Sequence, residues 1–233
     1  MSIFHKGNMK ANITGLLVEL KRQIAGYLNT EGIAHLVCTC KSFLHSIKPC
    51  LYETVNLDAP EKVLKLLIVV DKDSTLAGHI KKLEIGDLRK EDTREVDELV
   101  KTAGWETSPS ADESVARLLS HLGSLRSFRL NHLYGEVHLA AFNFATLPTL
   151  ITLKVLAESL VSCQSPLINH LPLALECLYV KEAKHTLPQL LIDYITAAAE
   201  LKLVFIQSSA EYWADRADLL DNVCKGCGVE LKL

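Results

Sequence analysis

Along this 233-residue chain a six-residue unit returns with apolar side chains at its first, fourth and sixth places. The units are Tyr52–Val55–Leu57, Ile80–Leu83–Ile85, Leu125–Phe128–Leu130, Leu150–Leu153–Val155, Leu175–Leu178–Val180 and Leu201–Val204–Ile206. Gly228-Val-Glu-Leu231-Lys-Leu233 closes the chain in the same register. One such unit is cheap in a chain that is 48% apolar, so the constraint is the spacing. Successive starts lie 28, 45, 25, 25, 26 and 27 residues apart, and the step of 45 is one period plus an insert. Residues two apart share a face of a strand, so each unit predicts a strand with one face in a core. Between the strands, helical spacing predicts returns at Val63, Leu66, Leu67 and Val70, after a cap and first turn at Asp58-Ala59-Pro60. It resumes at Val115, Leu118, Leu119 and Leu122, at Leu187, Leu190, Leu191, Tyr194, Ile195 and Ala198, and at Trp213, Ala217, Leu220 and Val223. The return between Asn131 and Pro148 reads as irregular.

A period of about 20–29 residues carrying this pattern is the signature of leucine-rich repeats. The predicted fold is α/β: over residues 54–233, an irregular leucine-rich-repeat solenoid with a curved parallel sheet, buried against helices on its convex side. The Asn usual three residues after the last strand leucine is absent. Leu88, Leu133, Glu158, Ala183 and Ser209 stand there, which predicts degenerate coils. A generic α/β domain with alternating strands and helices is the competing reading.

The residues between and after the strand leucines face the other way. They are Glu84, Arg129, Asn131, Lys154, Tyr179, Lys181, Phe205, Gln207 and Lys232. Aromatic anchors beside cations are enriched in binding patches. Arg129, Asn131, Lys154, Tyr179, Lys181, Phe205 and Gln207 are therefore the candidate substrate-binding residues. Their charge favours an acidic or phosphorylated ligand.

Residues 13–53 are built differently. Ile13-Thr14-Gly15 leads into a helix with Leu16, Leu20, Ile24 and Leu28 on one face and Leu17 and Tyr27 beside them. Asn29-Thr30 ends it, and Thr30 caps a second helix carrying Ile33, Leu36 and Val37. A third short helix holds Cys40, Phe43, Leu44 and Ile47 and stops before Pro49. A domain under about 40 residues seldom stands alone without a disulfide, a metal or a partner. This module must lean on the following domain, on a partner, or on both.

The block resembles an F-box in Leu16-Leu17-Val18-Glu19-Leu20, Ile24, Tyr27-Leu28, Leu36-Val37 and Cys40-Lys41-Ser42-Phe43. Pro49-Cys50-Leu51-Tyr52 resembles the exit of fungal F-box proteins, which often runs directly into a first strand. Together with the repeats, the resemblance to the fungal F-box and leucine-rich-repeat class spans nearly the whole chain. One departure is Leu17, where Pro is usual. The resemblance implies a non-catalytic substrate receptor of an SCF-type cullin ubiquitin ligase. Its F-box would dock a Skp-type adaptor, and through it the cullin ligase core. The repeats would bind a protein substrate for ubiquitination and proteasomal degradation. Leu16, Leu17, Glu19, Leu20, Ile24, Leu28, Leu36 and Phe43 are the adaptor-binding residues so implied, shared between adaptor contact and packing. The alternative is a stand-alone repeat scaffold whose helical module caps the array.

Other classes find less support. A net charge of -3 gives no global case for nucleic-acid binding. Residues 87–113 hold nine Asp/Glu against four Lys/Arg and read as a solvated acidic insert. Ser108 and Ser110, either side of Pro109, are its phosphorylatable pair. Residues 1–12 read as a loose tail without a leader-like apolar region. No apolar run reaches the roughly 18 residues of a membrane helix. Seven dispersed Cys read as free thiols in a reducing compartment, cytoplasmic or nuclear. Cys38/Cys40 and Cys224/Cys227 lack the spacing of a tetrahedral zinc site. The nine His are scattered, and no GxSxG, P-loop or GxGxxG appears. No enzyme activity, cofactor, metal, nucleic acid or membrane is predicted.

Overall fold

The computed structural model describes residues 16–39, 41–88, 93–132, 142–157, 170–181, 188–207 and 217–233. The predicted tail, Ile13-Thr14-Gly15, Cys40, Leu133, Glu158, Ala183, Leu187, Ser209 and Trp213 lie outside them. The chain divides into two units, residues 1–53 and 54–233.

The first unit is three helices, α1 (Val18–Gly26), α2 (Thr30–Thr39) and α3 (Lys41–Tyr52). Both α1 and α2 pack on α3. Ala25, Ile33, Phe43 and Ile47 form the core, with Leu36, Val37, Cys50 and Leu51 packed around it. Three details depart from the sequence reading. α1 ends at Gly26, and the N–H groups of Tyr27 and Leu28 close its last turn onto Ile24 and Ala25. The cap of α2 is Asn29, whose Oδ1 accepts the Gly32 N–H at 2.8 Å; Asn is a stronger N-cap than Thr. α3 runs through Pro49 to Tyr52. A proline inside a helix forfeits one hydrogen bond, but continuing the helix brings Cys50 and Leu51 onto the core, and that burial offsets the loss.

The second unit is α/β. Its strands are β1 (Thr54–Leu57), β2 (Lys82–Asp87), β3 (Ser127–His132), β4 (Thr152–Leu156), β5 (Cys177–Lys181), β6 (Leu203–Gln207) and β7 (Glu230–Lys232). They form one seven-stranded parallel sheet, in sequence order. Among the described residues its helices are α4 (Pro60–Lys72), α5 (Ser74–Ala77), α6 (Thr93–Ala103), α7 (Ala111–His121), α8 (Pro188–Ala197) and α9 (Ala217–Cys227), with a 3-10 turn at Phe144–Thr146.

The register carries the repeat. Val55, Leu83, Phe128, Leu153, Leu178, Val204 and Leu231 pair in one row across the sheet. From Leu83 to Val204 that row is buried, along with Val63, Leu67 and Val70 of α4 and Val115, Leu118 and Leu119 of α7. One turn precedes each strand from β2 onward. The N–H groups of Ile80, Leu125, Leu150, Leu175, Leu201 and Gly228 donate to the carbonyls of Ala77, Leu122, Leu147, Pro172, Ala198 and Lys225, at 2.9–3.3 Å. The carbonyls of Lys81, Arg126, Ile151 and Glu176 then each accept two N–H groups from the following rung. The turn satisfies backbone groups that close strand packing would otherwise strand without partners.

The acidic insert is not simply solvated. α6 packs on α4 through Val96 and Val100 against Leu64, with Leu99 and Trp105 alongside. Its apolar positions fall on one helical face, so its acidic residues can stay in water while that face is buried. Residues 89–92 lie outside the description. Among the described residues no helix is long and apolar enough to cross a membrane.

Candidate functional site

Two surfaces, one in each unit, gather the sequence-predicted residues.

On the first unit the decisive fact is which side of α1 faces in. Lys21 and Ala25 are its buried residues. That turns the neighbouring stripe outward: Leu17 is 69% exposed, Leu20 44% and Leu28 39%. Glu19 is also exposed, and Leu16, Ile24 and Leu36 are half-buried. Leu36 packs against the core and Phe43 is inside it, so these two serve the module's own packing. Val18, Tyr27 and Leu44 add exposed apolar surface that the sequence reading left out of the adaptor set. Together they make the outer side of α1 and its flanks more apolar than scattered surface residues would.

On the second unit the sheet register places Glu84, Arg129, Lys154, Tyr179, Phe205 and Lys232 in one row, facing opposite to the buried leucines. Lys181 and Gln207 pair in the adjacent row. Register then decides which charges are already matched. Arg129 Nη1 lies 3.3 Å from Glu84 Oε1, and Arg129 Nε donates to Asn131 Oδ1 at 2.6 Å. Asn131 Nδ2 in turn donates to Glu84. Lys232 pairs with Glu230 at 3.0 Å. Among the described residues no carboxylate forms an ion pair with Lys154 or Lys181.

Lys154 sits 5.7 Å from the centre of the Tyr179 ring, which stacks tilted on Phe205 at 5.8 Å. Partial burial lowers the Lys154 pKa from the ordinary lysine value, and the nearby charges of Arg129 and Lys181 lower it further. Lysine beside an aromatic face is a favourable pair, and Glu84 offsets only part of the burial and the neighbouring positive charge. Arg129, Asn131, Lys154, Tyr179, Lys181, Phe205 and Gln207 thus fall into two parts. Glu84, Arg129 and Asn131 form a self-satisfied network. Lys154, Tyr179, Phe205 and Lys181 form a half-buried aromatic and cationic patch, with Gln207 exposed at its edge.

Elsewhere in this unit a cleft of about 220 Å³ is lined by Pro60, Leu64, Leu88, Val96, Pro109 and Ser110 among others, none of its lining residues titratable. Cys224 is fully buried and Cys227 exposed. Among the described residues no three His, Cys, Asp or Glu side chains gather as metal ligands. No protein-family model matches this chain, and no curated protein matches it.

Proposed function

We propose that this chain is the substrate receptor of an SCF-type cullin ubiquitin ligase, acting in the cytoplasm or nucleus. The helical unit is an F-box that docks a Skp-type adaptor. The second unit is an irregular leucine-rich-repeat domain that holds the protein to be ubiquitinated. The observation that carries the reading is the outward stripe of Leu17, Leu20 and Leu28, which the module's own core leaves uncovered. Supporting it, the parallel strands run in sequence order at the leucine-rich-repeat period. The chain would do no covalent chemistry itself; it would bring two partners together.

Co-purification with a Skp-type adaptor tests the proposal. The wild-type chain should retain the adaptor, and Leu17→Asp with Leu20→Asp should release it while circular dichroism stays unchanged. A folded wild-type chain that binds no Skp-type adaptor would sink the reading.

A further inference from the structure

We propose that the sheet face carried by β4, β5 and β6 takes an extended acidic segment of a partner protein, its carboxylates against Lys154 and Lys181 and one apolar side chain against Tyr179 and Phe205. This names the substrate class of the receptor, and its use in ubiquitination rests on that reading; the binding itself needs no adaptor.

Five charged side chains lie in and beside this part of the face, and three of them answer one another or a neighbour: Glu84 with Arg129, and Lys232 with Glu230. Two ammonium groups are left, Lys154 and Lys181, on adjacent strands of the register. Between them lies Tyr179, directly cross-strand from Lys154, with Phe205 cross-strand from Tyr179. Both rings are half-buried, neither in the core nor fully in water. Lys154 is partly desolvated and crowded by Arg129 and Lys181. An incoming carboxylate would relieve that crowding, which a surface lysine kept only for solubility would not need.

The same inventory selects the ligand. A phosphate is best held by the bidentate fork of arginine. The one arginine of this row already gives its Nε to Asn131 and its Nη1 to Glu84. What remains are two point-charge lysines, suited to carboxylates. Nucleic acid would need a long run of phosphate contacts, and two cations do not supply one. The aromatic pair asks for an apolar anchor, of the kind that dominates protein interfaces.

The test uses the full chain and fluorescein-labelled synthetic peptides read by fluorescence anisotropy. The probe is a peptide with a central Phe flanked by Glu residues. Companions carry Gln for every Glu, Ser for the Phe, or phosphoserine for the Glu residues. The acidic Phe peptide should bind, and the Gln and Ser versions should each bind at least several-fold more weakly. Lys154→Glu and Lys181→Glu should each cost about fivefold, and Phe205→Ser about tenfold or more. Lys101→Glu on α6 should cost nothing, and circular dichroism should match wild type for every variant.

Equal binding of the Gln peptide, indifference to both lysine reversals, binding of the phosphopeptide alone, or no binding by any peptide would each overturn the inference. An adaptor pull-down on the same preparation separates the two ideas. Peptide binding without adaptor binding overturns the receptor reading and leaves the acidic-segment site standing. Adaptor binding without peptide binding does the reverse.

Discussion

The ammonium of Lys21 lies 5.6 Å from the centre of the Phe43 ring, inside the helical unit, and donates to Ser42 Oγ at 2.6 Å. A lysine only 3% exposed in so small a core is costly unless it is held by such partners. Its placement has a second effect. With Lys21 and Ala25 taking the inward stripe of α1, Leu17 and Leu20 are left outside. The inward lysine and the outward leucines are two sides of one rotation of the helix.

Lys21→Ala should therefore loosen the first unit by about 2 kcal/mol, through the lost charged hydrogen bond and lost packing of the lysine stem. Amide hydrogen exchange over α1 to α3 should speed up, with the strands of the second unit unaffected. Unchanged exchange in the helices would show that the buried ammonium contributes nothing.

The outward stripe gives the opposite pattern. Leu20→Asp and Tyr27→Ser should leave thermal stability within about 0.5 kcal/mol of wild type, as surface changes usually do, while weakening adaptor capture. Ile47→Asp, fully buried in the same unit, should unfold the helices outright. If Leu20→Asp unfolds them equally, the stripe is core rather than docking surface.

Helix ends in the second unit offer two stability tests. Ser110 and Glu113 form a capping box at the start of α7, the Glu113 N–H on Ser110 Oγ at 3.2 Å and the Ser110 N–H on Glu113 Oε2 at 2.8 Å. Ser110→Ala should cost about 1 kcal/mol in chemical denaturation. Gly104 ends α6 at a φ of 71°, with the Trp105 N–H reaching back to the Val100 carbonyl at 3.1 Å. Gly104→Ala meets no atom within 4 Å, so its cost of roughly 1–2 kcal/mol is purely conformational.

Lys154 carries a pH signature. Its depressed pKa means the unfolded chain holds this proton more tightly than the folded one. Between the depressed value and the ordinary 10.5, folded stability from this group rises with pH. The difference in unfolding free energy between wild type and Lys154→Met should shift toward wild type as pH climbs from neutral toward 10.5. A flat difference would mean that Glu84 offsets the burial and the neighbouring positive charge in full.

The strands were legible because the first, fourth and sixth places of each unit all obey one rule, and the register bears the fourth places in a single row. The turn that precedes them was not seen. Its mark is a further residue three places ahead of the unit, apolar in Ala77, Leu122, Leu147, Pro172 and Ala198 but Lys225 in the last, and alanine and proline carry little hydrophobic signal. On α1, apolar counting chose the stripe of Leu16, Leu20, Ile24 and Leu28, because it weighs leucine above lysine and alanine. Packing chose Ala25, which lets the helices approach, and a lysine whose stem reaches an aromatic ring. On the sheet face the sequence supplied the side chains but not their pairing. Glu84 and Arg129 are 45 residues apart and meet only through the β2–β3 register.

The strictly sequential order of the sheet also bears on how it forms. Each strand hydrogen-bonds only to the strands immediately before and after it along the chain. The widest gap to be closed is that from Lys82 to its partner Ser127, and closure entropy grows only logarithmically with loop length. Parallel sheets are slow to fold when distant segments must find each other first. Here no segment waits on a distant one: a single formed rung is a template for the next, and assembly can spread in either direction from wherever the first pair meets.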